Sequence, residues 1–281
     1  MKKYSAINYT PLVLISLLTL LPLVFMLITS LKTYPETMEI PPSLLPKRFQ
    51  WENYIEIFHR FPFWRYLFNT VIIAFSQVAG SLISTAIVAW GFARYPGRWN
   101  NLLFGVLLGT MMIPAQITAI PVFAMFVKLG FYNTYVPLIA PAWLGCNAFG
   151  IFLLKQFFQK IPKDLLDAAR IDGANEWQVF RLIALPLCKP ILWTLAVFTL
   201  IASWNNYFSP LIYLNDERLY PISLGLTYFK QASQDVAAGS SGTQWQLVMA
   251  AALVTLIPVV TLFFMAQRSF INSVMSSALK E

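Results

Sequence analysis

Asp164, Asp167, Asp172 and Glu176 stand three to five residues apart around Arg170 in the stretch DLLDAARIDGANEWQVF, residues 164–180. Charges so placed can set the orientation of another protein docking against them. They do not amount to a bond-breaking centre. No Ser-His-Asp set, metal-ligand cluster or pair of intramembrane acids stands out in the chain. The only histidine, His59, leaves no His-based metal site to read. No G-x-x-x-x-G-K-[ST] occurs, so the chain cannot supply a phosphate-binding P-loop. Cys146 and Cys188 lie in different segments and read as free thiols rather than a disulfide framework.

A second set of polar residues lies inside otherwise oily runs: Gln77, Gln116, Asn147, Trp204, Asn205 and Asn206. Amides both donate and accept hydrogen bonds, which suits hydroxyl-rich solutes, and an indole offers a flat face to a sugar ring. The same residues could equally tie helices to one another.

The elements that carry these residues are set by composition. The 281 residues are 58% hydrophobic and only 11% charged, against about 25% charged in soluble domains. Net charge is +8; membrane proteins concentrate Lys and Arg in cytoplasmic loops, which by itself makes them basic. Spanning a bilayer takes about 20 apolar residues. Six stretches qualify: Pro11–Leu31, Leu67–Ala93, Leu102–Val127, Val136–Phe158, Ile191–Leu211 and Gln246–Ala266. The first reads as an uncleaved helix, because it is long and no A-x-A site follows it. An inside N-terminus puts twelve of the 20 Lys and Arg residues on the inner side. Both termini and the 164–180 stretch are then cytoplasmic. The outer segments are Lys32–Tyr66 and Asn215–Trp245, the latter tipped by Gly239, Ser240, Ser241 and Gly242. Gln234, Ser240, Ser241 and Gly242 are candidate contacts for an outer partner; a plain connector is the alternative.

Around the acidic stretch the pattern predicts a short helix, a turn and a second helix. Pro162 precedes the first helix and Asp164 sits in its first turn, where an acid suits the helix dipole. Gly173 is placed to end that helix in a left-handed conformation. Asn175 with Gln178 three residues later is a start signal for the next helix. Pro186 and Pro190 stop or bend it. A solvated connector would satisfy the same pattern. A DNA-binding helix-turn-helix would not sit between spanning segments. A docking element fits best, with small Ala168, Ala169 and Gly173 allowing close approach.

The run IPKDLLDAARIDGANEWQVFRLIALPLCKP closely resembles the inner-loop signature of ABC importer permeases, a Glu-Ala-Ala followed three residues later by Gly. The matching positions are Asp167, Ala168, Ala169 and Gly173, extended by Asp172, Ala174, Leu185 and Pro186; Asp167 replaces the usual Glu. ARYPGR, MIPAQITAIPVF, WNNYFSPLIYL and QRSF resemble the carbohydrate-importer subfamily with six spans. The tail INSVMSSALKE lacks the glycines often seen there.

The resemblance implies an all-α membrane protein: six transmembrane helices with a cytoplasmic coupling helix in the MetI-like permease fold. It implies a division into residues 1–66, the first helix and outer segment, and 67–281, a five-helix core with the coupling loop at 159–190. The chain would be a non-enzymatic transport subunit in a bacterial or archaeal cytoplasmic membrane, with no cofactor of its own. Its implied partners are a second permease subunit in a heterodimer, two ATPase subunits that bind ATP and Mg, an extracytoplasmic solute-binding protein, and lipid, with no nucleic acid. Asp167, Ala168, Ala169, Asp172, Gly173 and Ala174 would contact the ATPase. A sugar, oligosaccharide, polyol or glycerol phosphate would be the cargo. The alternative, a secondary transporter, needs a buried coupling-ion site, and no span carries an Asp or Glu.

Overall fold

The computed structural model describes residues 6–95, 97–235 and 243–278. They are mainly helical, with no strand among the described residues. Contacts divide the chain into two compact units. One comprises Met1–Trp64 and Leu224–Val260, the other Arg65–Ser223 and Thr261–Glu281.

The second unit holds the acidic stretch and the amides Gln77, Gln116, Asn147, Asn205 and Asn206. Its longest helix is Phe63–Arg94, which begins in the first unit. Against it pack Val136–Trp143 and Ala148–Gln159, which together form a span of 24 residues interrupted near Gly145. Gly80 lets the crossing happen: a Cβ there would lie 2.5 Å from the Trp143 ring. The third expected span is no straight rod. Helices Arg98–Thr110 and Ala115–Lys128 meet at 101°, across a break that ends at Pro114, whose ring cannot continue the preceding hydrogen-bond ladder. The fifth is bounded differently as well. The helix Lys189–Trp204 stops at Asn205, and a separate short helix, Phe208–Tyr213, follows.

At one end of this unit Asn69 donates to the carbonyls of Arg218 and Tyr220, at 2.8 and 2.9 Å. The Ile222 N–H donates to Thr70 Oγ1 at 2.8 Å. At the other end an apolar cluster gathers the helix ends: Trp90, Leu154, Phe158, Ile191 and Leu195 pack with Leu166, Val179, Phe180 and Ala184 of the acidic stretch and its continuation. Trp90 meets Phe158 edge-on at 5.3 Å.

The first unit opens with helix Ala6–Ser30, whose apolar side chains are largely exposed, as a lipid-facing helix requires. The segment that follows it is fastened by buried polar groups. Asn53 donates to the Ser30 and Lys32 carbonyls, at 2.8 and 3.0 Å. Glu36 closes a capping box on the Thr33 N–H and accepts the Lys47 N–H at 2.9 Å. These hydrogen bonds, the Thr33 bond foremost, hold its carboxyl below the ordinary glutamate range. Ile57 and Phe61 are buried, and Phe61 packs against Phe229 at 5.3 Å. Leu247 and Val248 lie in helix Trp245–Ala278, whose apolar part Trp245–Thr261 corresponds to the sixth expected span.

Candidate functional site

The acidic stretch folds as its residues dictate. Helix Lys163–Ile171 follows Pro162 and carries Asp164 in its first turn. It ends in a Schellman turn. The Gly173 N–H donates to the Arg170 carbonyl and the Ala174 N–H reaches back to Ala169, each at 3.0 Å. Gly173 has φ +87°, a region that costs other residues about 1–2 kcal/mol. Asn175 then starts the next helix. Its Oδ1 accepts the Gln178 N–H at 2.9 Å while Gln178 Oε1 accepts the Asn175 N–H at 2.8 Å. Helix Glu176–Leu187 widens to a π turn over Val179–Ala184, where Pro186 withholds its N–H from Leu182. It then bends by 76° at Cys188 into Lys189–Trp204.

Two features make the loop rigid. Leu166, Val179 and Ala184 are fully buried in the apolar cluster; deleting a Leu so placed costs about 2–5 kcal/mol. Arg170 forms ion pairs with Asp167 at 2.7 Å and with Glu176 at 2.6 Å, so it joins both helices.

The six predicted contact residues divide by face. Asp167, Ala168, Asp172 and Gly173 are exposed, whereas Ala169 and Ala174 are half-buried against the cluster. The small size of Ala169 and Ala174 therefore serves this chain's own packing. A Cβ at Gly173 would meet no atom of the described residues within 4 Å, so among them its backbone angle, not crowding, demands glycine. The mixed apolar surface that the sequence offers on this helix splits: Leu166 is buried, whereas Ile171 is 87% exposed beside Gly173, five residues on and well off the inward stripe.

Of the polar residues expected along a path, Gln77, Asn147 and Asn206 line one open cleft of about 380 Å3. Gln77 Nε2 donates to the Leu138 carbonyl at 2.7 Å. Asn147 caps Ala148–Gln159, its Oδ1 accepting from the Gly150 N–H at 2.9 Å, and donates to Ser81 Oγ at 3.1 Å. Asn206 Oδ1 accepts from the Ser209 N–H at 3.1 Å. The amides thus also serve as caps and ties. Trp204 is buried, so its ring offers no open face. Asn205 is exposed and bonds back to the Ile201 carbonyl. Gln116 is exposed beyond the 101° bend; neither it nor Asn205 lines the cleft. Ser81, Thr199 and Ser203 do line it. Their signal was present: Ser81 follows Gln77 by four residues, and Thr199, Ser203 and Asn206 keep helical spacing. The Ser203 hydroxyl is buried without a hydrogen-bond partner among the described residues. Of the outer-contact residues, Gln234 is exposed, and Ser240, Ser241 and Gly242 lie outside the described residues.

Apolar helices broken beside a polar cleft, with a polar loop clamped across one end, define a multi-pass membrane transport protein. The family model "Binding-protein-dependent transport system inner membrane component" matches residues 82–275. The sn-glycerol-3-phosphate transport system permease protein UgpE of Salmonella typhi is 34% identical over 280 residues, spanning 96% of this chain and 95% of that protein. A solved bacterial ABC transporter involved in import of the acidic polysaccharide alginate superposes with TM-score 0.81 at 25% identity, over 96% of this chain and 100% of that one. A bacterial alginate ABC transporter in complex with a pentasaccharide-bound periplasmic protein shares the fold at TM-score 0.64 and 17% identity, over 92% of each chain.

The chain belongs to the binding-protein-dependent transport system inner membrane component family and is a permease subunit of an ABC importer. The expected all-helical MetI-like fold is the one found, and the secondary-transporter alternative falls.

Proposed function

We propose that this chain imports a hydroxyl-rich solute of the sugar, oligosaccharide or glycerol-phosphate class. It works with a second, different permease subunit, two ATPase subunits that hold ATP and Mg, and an extracytoplasmic solute-binding protein. Supporting the cargo class are the relatives named for sn-glycerol 3-phosphate and alginate transport and a cleft lined by neutral amides and hydroxyls. The 159–190 loop is cytoplasmic, as are both termini, and residues 67–281 form the transport core around it. Asp167, Ala168, Asp172 and Gly173 meet the ATPase directly, and Ala169 and Ala174 hold them in place. The Gln234–Gly242 tip meets the binding protein.

One observation carries the coupling role: an exposed helix with a glycine-closed end, ion-paired to the next helix and rooted in the core by Leu166. A helix fixed so firmly passes a partner's motion to the spanning helices instead of absorbing it. ATP binding on the partners then shifts the permease between outward- and inward-facing populations. Uptake of labelled glycerol 3-phosphate, sugars and oligosaccharides by a strain lacking the gene identifies the cargo. Unimpaired uptake of the whole panel would reject the class.

A further inference from the structure

An apolar groove of about 360 Å3 runs beside the docking loop, lined by none of the residues of the polar cleft. Leu82, Ile83, Ala86 and Ile87 form one wall, a single stripe of the Phe63–Arg94 helix. Ile83 and Ile87 are about half exposed. At 1.5 Å per residue, Leu82 lies about 18 Å along the helix from Arg94, close to half of the roughly 30 Å apolar thickness of a bilayer. The Leu82–Ile87 wall therefore begins about one leaflet's depth from the Arg94 end of its helix.

Its loop end is different. There the lining includes Trp177 and Arg181. Trp177 is 57% exposed, and Arg181 is exposed and makes no ion pair among the described residues. An indole at an apolar–polar boundary and an unneutralised guanidinium are the groups that meet phospholipid headgroups at a membrane surface.

We propose that this groove binds an anionic phospholipid of the cytoplasmic leaflet, one acyl chain along Leu82–Ile87 and the phosphate at Arg181. The leaflet assignment rests on the cytoplasmic placement of the loop proposed above. The occupant touches Phe180, which lines the groove and packs on Trp90 at 5.7 Å and on Phe158 at 6.2 Å. Phe180 is among the residues that root the docking loop, so the lipid steadies the element that receives the ATPase.

The test uses the complete transporter, purified and placed in nanodiscs of phosphatidylcholine alone or mixed with phosphatidylglycerol. Lipid retained after detergent washing is measured by mass spectrometry, alongside substrate-stimulated ATP hydrolysis. Wild type retains phosphatidylglycerol in preference to phosphatidylcholine and is stimulated more in the mixed discs. Arg181→Gln loses about fivefold in phosphatidylglycerol retention, the effect of one basic group at an anionic surface, and Arg181→Lys recovers most of it. In both variants the ATPase subunits still co-purify; their absence from wild type would strike the docking reading instead. Equal phosphatidylglycerol retention by wild type and Arg181→Gln overturns the proposal. So does high-yield cross-linking of Ile83→Cys to the second permease subunit, which would make the groove a protein interface.

Discussion

Arg170 reaches over the Gly173 turn to Glu176, its Nη2 2.6 Å from the carboxylate Oε1, while its Nη1 holds Asp167 at 2.7 Å. One guanidinium thus fixes the angle between two helices that share no other charge contact among the described residues. The bonds to Glu176, then to Asp167, raise its already high pKa, so the clamp stays charged at every physiological pH. The pairs are solvent-exposed, and such pairs add little to stability; their value is in orientation.

Arg170→Ala should therefore leave the melting temperature nearly unchanged and weaken retention of the ATPase subunits on purification. The double exchange Arg170→Glu with Glu176→Arg should recover part of the loss. Full retention in the single variant would show that the ion pairs do not orient the loop.

Gly173 separates backbone demand from crowding. With φ +87° and no atom within 4 Å of a Cβ, the strain rather than contact sets the ranking. Asn, which tolerates left-handed backbone, should do best, Ala next and β-branched Val worst, Val losing about 1–2 kcal/mol locally. Measured as co-purified ATPase and substrate-stimulated hydrolysis, an Ala variant better than Asn would point to partner crowding instead.

Ser203 offers a clean probe of the cleft. Its buried hydroxyl has no hydrogen-bond partner among the described residues, so Ser203→Ala removes no bond to them and should not reduce thermal stability. If solute passes there, the half-saturation concentration for uptake rises about two- to tenfold, the range of one neutral hydrogen bond. An unchanged value would take Ser203 off the path. Asn147→Ala, which strips a helix cap, should by contrast lower stability by about 1 kcal/mol.

Glu36 makes the segment after the first helix acid-sensitive. A carboxyl whose folded pKa is lowered contributes stability above its unfolded pKa and loses it as pH falls through the folded one. Protection of residues 33–50 from proteolysis or hydrogen exchange should hold at neutral pH and decline on acidification below the ordinary glutamate range. Glu36→Gln should show weakened protection already at neutral pH and a flatter acid response. An identical acid profile in the variant would assign the sensitivity to other groups.

Topology can be read by cysteine labelling after Cys146 and Cys188 are replaced. Gln178→Cys should resist an impermeant outside reagent, and Ser240→Cys should react. The reverse pattern would invert the orientation.

The sequence by itself determined what depends on neighbours along the chain. The Schellman turn at Gly173 and the Asn175–Gln178 capping box are local, because hydrogen bonds between residues three to five apart set them, and the apolar lengths of the spans are a matter of consecutive residue types. Tertiary structure decided what depends on distant segments. It brought Gln77, Asn147 and Asn206 to one cleft while leaving Gln116 and Asn205 outside and burying Trp204. It turned Ala169 and Ala174 inward and left Ile171 in the open. Proline and glycine marked where helices could break, but not by how much. The 101° and 76° bends are set by what each half-helix packs against, and a one-dimensional pattern of apolar residues does not contain that information.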